Sequence, residues 1–288
     1  MNRKTTCVIG WPVEHSRSPL IHGYWIRQFG LQAEYRREAV PPDRFADFVA
    51  HLADRGYVGA NVTVPHKEAA LELSIPDALA QAVGAANTLW LDAGVLRSTN
   101  TDVEGFVASL DAGVPDWAAA VESAVVLGAG GAARAIVFGL SERGVRRIHV
   151  VNRNLDRATA LRRRFGDRVV PRRWDQRNDL LADAGLLVNA TTLGMAGQPC
   201  LEIDLTPLPA AAVVADIVYA PLVTPLLVTA AARGLRTVDG LGMLLHQAAG
   251  AFARFFGLRP QVTRDLRMLV EADLMAAATL KNDPEEPR

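Results

Sequence analysis

The chain has 288 residues, half of them hydrophobic, enough for two domains with sizeable cores. Lys+Arg and Asp+Glu stand at 31 each, so no net field draws the chain to nucleic acid or to an acidic membrane. Cys7 and Cys200 have no disulfide or metal spacing, "MNRKTTCVIGWP" lacks a signal-peptide core and no stretch can span a bilayer, so a reduced cytoplasm is expected and a metal site is not. In chain order, "TTCVIG" reads as a buried strand with Cys7 as a small core residue, and "SPLIHGYWIRQFGL" as a helix. "AEYRREAV" is a strand, and "DRFADFVAHLADRG" a helix with Asp43 as N-cap and Gly56 just past its end. "GANVTV" alternates like a half-buried strand, and a helix starts near Lys67. "NTLWLD" and "VLRSTNTD", split by "AG", read as a β-hairpin added antiparallel to a mainly parallel sheet.

A helix near 103–112 leads to "DAGVPDWAA", a domain boundary. A second series begins at "SAVVLGAGGAARAIVFGLSERG" and continues through "RRIHVVNR", a helix near 154–165, "AGLLVNAT", "AAVVADIVY", a helix near 223–233 and "LRTVDG". Five strands alternating with helices imply a parallel sheet covered on both faces. Helices near 241–257 and 261–281 follow, and a disordered tail is expected at 282–288.

"VVLGAGGAAR" fits G-x-G-x-x-A through Gly128, Gly130 and Ala133, after a strand and at the start of a helix. In that context the glycines let the backbone approach a pyrophosphate, and the helix N-terminus faces it with free N–H groups. The next strand ends at Asn152 without the carboxylate that binds a ribose 2′-hydroxyl in NAD sites, and Arg153 and Arg157 follow. Guanidinium groups match a phosphate in charge and geometry, so NADP is favoured over NAD; solvated surface arginines are the alternative.

In "GWPVEHSRSPLIHG", Ser18-Pro19 suits an N-cap and first-turn proline, with Ser16 in the loop. The two hydroxyls at a helix start can equally hold a small carboxylate. His15 and His22 have no metal-ligand partners in the pattern. Asn61, Thr63, Asn87 and Asp102 fall at strand ends, either as a hydroxyl-binding set or as turn initiators.

The segments "GWPVEHSRSPLIH", "GANVTVPHK", "GAANTL", "TNTD", "GAGGAAR", "VNRNLDRA", "NATTLGM", "DIVY" and "DGLGMLLHQAA" resemble the shikimate dehydrogenase family, in its order, over about residues 8–250. The resemblance implies reduction of 3-dehydroshikimate to shikimate with NADPH, on the route to aromatic amino acids. It implies a substrate-binding α/β domain with a mainly parallel sheet at 1–102, completed by the helices at 241–281, and a Rossmann-like NADP domain at 103–240. It implies Lys67 and Asp102 as the catalytic pair, and Ser16 and Ser18 as partners of the substrate carboxylate. Asn61, Thr63, Asn87, Asp102 and Gln247 would contact ring hydroxyls, with Tyr219 near the substrate. Gly128, Ala129, Gly130, Gly131 and Ala132, with Asn152, Arg153 and Arg157, would hold NADP; Thr191, Ile217, Gly240 and Met243 would line the cofactor pocket. Gly23 departs from the asparagine common after the family's histidine, and Asn154 from its threonine or serine.

In that reaction a lysine ammonium can protonate the oxygen that becomes an alkoxide as hydride arrives, and the neutral amine can take the proton back. Three other readings stand beside it: a quinate/shikimate dehydrogenase using NAD or both cofactors, an inert NADP-binding regulator on this fold, and a folate-type dehydrogenase. Arg153 and Arg157 speak against the first, retention of both Lys67 and Asp102 against the second, and the double serine with "GLGMLLHQAA" against the third. Small-molecule partners only are expected, in a monomer or homodimer.

Overall fold

The computed structural model describes residues 3–282. Of the tail expected at 282–288, Asn282 closes the last helix and 283–288 lie outside the described residues. The chain begins with β1 (Lys4–Gly10), α1 (Ser18–Gln28), β2 (Ala33–Ala39), α2 (Phe45–Ala50), β3 (Tyr57–Val62), α3 (Lys67–Glu72), β4 (Ile75–Pro76) and α4 (Ala78–Val83). The hairpin β5 (Thr88–Asp92) and β6 (Val95–Thr99) completes a six-stranded sheet ordered β2-β1-β3-β5-β6-β4. β5 runs antiparallel to both neighbours, while the other pairs are parallel. Its turn residues Ala93 and Gly94 have φ of 49° and 81°, the left-handed pair that a two-residue connection between right-twisted strands requires.

Helix α5 (Asp102–Gly113) and the short α6 (Trp117–Ala120) lead to β7 (Ser123–Leu127), α7 (Gly131–Glu142), β8 (Arg147–Asn152), α8 (Leu155–Phe165), β9 (Val169–Arg173), β10 (Leu186–Asn189), β11 (Val213–Asp216), α9 (Pro225–Ala232) and β12 (Arg236–Val238). These strands are all parallel, in the order β9-β8-β7-β10-β11-β12. That is a doubly wound sheet, with its switch point between β7 and β10. The sheet has six strands where the sequence suggests five. The addition is β9, whose Pro171 and arginines hide its strand character but suit an edge position, where a missing N–H leaves no ladder bond unmade.

Two helix starts also differ from expectation. Pro42–Arg44 form a 3₁₀ turn before α2, so Asp43 lies inside that turn and caps nothing. The helix stops at Ala50, and Gly56 (φ 82°) closes a run of turns instead. Ser18 is the first residue of α1 rather than its cap; Ser16 Oγ accepts the Ser18 N–H at 3.3 Å.

The chain closes with α10 (Gly240–Phe256) and α11 (Arg264–Asn282). Cys7, Ile9, Phe45, Leu52, Val62 and Leu89 fill one core of the first sheet. Ile21 and Trp25 of α1 fill another with Leu241, Leu245 and Phe252 of α10 and Leu266 of α11. The helices α5 and α10 link the two sheets, backbone against backbone: a Cβ on Gly105 would lie 2.7 Å from Gln247 Cβ, and one on Gly242 2.3 Å from Ser109 Oγ. No helix among the described residues is long and apolar enough to cross a membrane.

Candidate active site

The carboxyl ends of β1 and β3 face the start of β5, because β5 runs antiparallel to β3. Short polar side chains at these ends therefore converge. The backbone ties them: Asn87 O accepts from Val62 N at 2.8 Å, Ile9 O from Thr63 N at 2.9 Å, and Lys67 O from Ala86 N at 2.8 Å. His66 anchors the turn before Lys67, with Nε2 2.7 Å from Val40 O and its ring stacked on Phe45 at 4.2 Å.

Lys67 Nζ pairs with Asp102 Oδ2, the two side chains 12% and 6% exposed. A charged pair this withdrawn from water persists only if its remaining valences are met. Asn87 Nδ2 donates to Asp102 Oδ1 at 2.8 Å, so the carboxylate is met on both oxygens, and the Asp102 N–H donates to Asn100 Oδ1 at 3.0 Å. Asn87 Nδ2 also lies 3.0 Å from Thr101 Oγ1 and 3.4 Å from Gln247 Oε1 of α10, while Asn87 Oδ1 accepts the Thr101 N–H at 2.8 Å. Asn61 is held in the same network by Tyr35, whose hydroxyl donates to Asn61 Oδ1 at 2.7 Å, and by Thr88 Oγ1 at 3.1 Å. Thr63 lies one residue past β3, its methyl beside Gly10.

Ser16 Oγ and Ser18 Oγ are 3.2 Å apart. Arg37 Nε and Nη2 clamp the Ser16 carbonyl at 3.0 and 2.8 Å. Tyr219 is near enough to feel the charges of Arg17 and Arg37, although burial, the larger effect, raises its pKa. Lys67, Asp102, Asn61, Asn87 and Gln247 thus fall into one polar cluster with a serine pair at its side, whereas Thr63 turns its methyl to Gly10 and Tyr219 packs against the core shared by α1 and α10. Tyr35, Arg37, Thr88 and Thr101 belong to the framework of that cluster, and sequence reasoning passed over all four; their partners lie 14 to 27 residues away, beyond any local pattern.

At the second sheet, β7 ends at the glycine loop on the switch point. Gly128 has φ 105°, and a Cβ there would lie 2.9 Å from Ala190 O and 3.2 Å from Thr191 Cγ2. Gly130 is the N-cap of α7 with no side-chain cap, and a Cβ on it would meet nothing within 4 Å. The first N–H groups of the helix are thus unblocked, next to buried Ala129 and half-buried Ala132. Asn152 at the end of β8 donates to Asn154 O at 2.8 Å, and Asn154 caps α8 by accepting the Asp156 N–H. Arg153 and Arg157 flank this cap and are exposed. An open helix start beside a tight glycine turn, with two guanidinium groups at the end of the next strand, fits a dinucleotide carrying a 2′-phosphate. Arg134 Nε, buried and without a hydrogen-bond partner among the described residues, adds a donor in the first turns of α7.

Thr191 is tied to Asn189 Oδ1 by its hydroxyl at 2.7 Å, and Asn189 donates to the buried Asp216 at 3.0 Å. Thr224 closes this brace with a 2.7 Å bond to Asp216. Burial raises the Asp216 pKa against these bonds. Ile217 follows Asp216, and a Cβ on Gly240 would lie 2.3 Å from Ile217 O, so those two are in backbone contact; Met243 is one turn along α10 and buried. The Asn189–Asp216–Thr224 brace went unrecognised in the sequence, where "NATTLGM" and "DIVY" bear no mutual spacing signal.

The loops meet across the cleft: a Cβ on Gly131 would lie 3.1 Å from Lys67 Cβ. The Lys67–Asp102 pair of the first sheet therefore adjoins the glycine loop of the second.

The sequence and the fold match known proteins along nearly the whole chain. Residues 8–89 match the shikimate dehydrogenase substrate binding domain, 114–200 the shikimate/quinate 5-dehydrogenase family, and 240–264 the shikimate 5′-dehydrogenase C-terminal domain. The shikimate dehydrogenase (NADP(+)) of Rhodopseudomonas palustris strain BisB5 is 62% identical over 272 residues, 94% of this chain and 96% of that protein. A shikimate 5-dehydrogenase of Thermus thermophilus, solved in complex with NADP(H) and shikimate, is 36% identical with a TM-score of 0.82, covering 95% of this chain and 99% of that one. A quinate dehydrogenase of Corynebacterium glutamicum in complex with NAD is 33% identical with a TM-score of 0.85, over 94% and 99%. On the domain matches and on identities of 60% or more along nearly its whole length, the chain belongs to the shikimate dehydrogenase family.

Proposed function

We propose that this protein is an NADP-dependent shikimate dehydrogenase, reducing 3-dehydroshikimate to shikimate reversibly in aromatic amino acid biosynthesis. The observation that carries the reading is the Lys67–Asp102 pair held against the glycine loop. NADPH supplies the hydride when bound. Lys67 Nζ gives a proton to the substrate oxygen in the reductive direction and recovers it in reverse. Asp102 orients the ammonium and balances its charge, and Asn87 fixes Asp102. Asn61, Thr63, Asn87, Asp102 and Gln247 read the ring hydroxyls. Ser16 and Ser18 hold the carboxylate, with Tyr219 beside it and Arg17 and Arg37 lending positive potential. Gly128, Ala129, Gly130, Gly131 and Ala132 cradle the pyrophosphate; Asn152, Arg153 and Arg157 hold the adenosine end. Thr191, Ile217, Gly240 and Met243 line the nicotinamide side.

The division of labour is residues 1–102 with 241–281 for substrate and 103–240 for NADP, in a soluble cytoplasmic monomer or homodimer. A spectrophotometric assay with shikimate or quinate, each with NADP and with NAD, tests the reading. Shikimate with NADP is expected to give the highest kcat/KM. Preference for quinate with NAD would move the protein to the alternative that the Corynebacterium neighbour represents.

A further inference from the structure

Lys67 is followed by Glu68, whose carboxylate reaches out of the first sheet's half of the molecule to two arginines of the second. Glu68 Oε2 accepts from Arg134 Nη2 of α7 at 2.9 Å, and Glu68 Oε1 lies 3.5 Å from Arg157 Nη2 at the start of α8. The Arg134 side chain is 15% exposed and that of Arg157 57%, so the two arms differ in strength. The arm to Arg134 is short and shielded, while the arm to Arg157 is long, wet and easily exchanged. Arg134 reaches Glu68 because helical side chains lean toward the helix N-terminus, here the end that abuts Lys67 through Gly131.

We propose that Glu68 is a positioning and specificity-determining residue. Through Arg134 it holds Lys67 against the glycine loop. Through Arg157 it occupies the guanidinium that a dinucleotide 2′-phosphate takes. The inference rests on the reading of Arg157 as an NADP contact. A phosphate dianion with bidentate geometry outcompetes a monodentate carboxylate for that arginine. Glu68 then remains on Arg134 alone. A dinucleotide with only a 2′-hydroxyl has no such exchange to make and leaves Arg157 on Glu68. Glu68 therefore lowers affinity for the phosphorylated cofactor and keeps the proton donor in register, two effects of opposite sign on turnover with NADP.

The test is Glu68→Gln in the full-length protein, titrated calorimetrically with NADP and with NAD, together with Glu68→Gln/Arg157→Gln. Glu68→Gln is expected to tighten NADP about threefold, the scale of a partly exposed ion pair, and to leave NAD unchanged. Measured against Arg157→Gln alone, adding Glu68→Gln should give no tightening. The amides of α3 should exchange faster in Glu68→Gln, and single-turnover reduction of 3-dehydroshikimate should slow about threefold with its KM unaltered. A purely structural role for Glu68 would not tighten NADP selectively. Unchanged or weaker NADP binding, equal tightening of NAD, or a gain that survives Arg157→Gln would each overturn the proposal. Should the wild type turn over neither shikimate nor quinate, the proposed activity is wrong, while the two titrations and the exchange of α3 still decide the role of Glu68.

Discussion

Replacing Lys67 by alanine removes the ammonium facing Asp102 and leaves Asn61, Asn87 and the serine pair in place. It is expected to cut kcat by about 10²-fold or more while shikimate and NADP still bind; turnover near the wild-type rate would refute the assignment. Asp102→Asn strips the ammonium of its counter-charge, and both kcat and the pH–rate profile should change. Tyr35→Phe removes one hydrogen bond from Asn61 and touches none of the reacting groups. It should raise the KM for shikimate by about fivefold, one ordinary hydrogen bond, with kcat nearly unaltered. His22 offers a prediction in stability rather than rate. It is fully buried, stacked on Tyr35 at 4.1 Å, and its ring nitrogens have no hydrogen-bond partner among the described residues. Burial lowers its pKa from 6.5 to about 3. The unfolded chain therefore binds a proton that the folded one refuses, and stability falls as pH drops from about 6.5 toward 3. This one group contributes a slope of about 1.4 kcal/mol per pH unit in that window. His22→Phe should flatten the acid limb of the unfolding free energy by that slope, measured with urea at several pH values.

At the scale of elements, α1 carries a removable weakness. Gly23 sits within it, and a Cβ added there would meet only the flexible end of Arg27 at 3.4 Å. Gly23→Ala should stabilise the protein by about 0.5–1 kcal/mol in denaturant unfolding, without changing kinetics. Strands with alternating or continuous apolar runs, such as β1, β3, β7 and β8, were legible in the sequence because their burial dictates their composition. β9 was not, since an edge strand escapes that dictate, nor was β4, which has two residues. Asp43 misled because Pro42 starts a 3₁₀ turn one residue earlier, and Ser18 because the hydroxyl of Ser16 reached the helix start first.

For the molecule as a whole, catalysis requires the cleft between the sheets to open for ligands and close for hydride transfer. Hinges are expected near 102–106 and 238–242, where α5 and α10 begin. Crystals of the free protein and of the complex with shikimate and NADP should differ in the angle between the halves; identical angles would count against a hinge there. The polar residues that each motif carries were readable in the sequence, but the framework residues Tyr35, Arg37, Thr88 and Thr101 were not. The contacts across the cleft were not, because Glu68 meets Arg134 and Arg157 only once both sheets have formed. The junction of α5 and α10 bears also on the order in which the protein can be made. The first sheet and α1 emerge from the ribosome before α10 and α11, on which Ile21 and Trp25 find their core partners. The nascent first half therefore waits with an apolar helix face uncovered while the second sheet is translated and folds. The first half can complete its packing only after the second sheet has been translated.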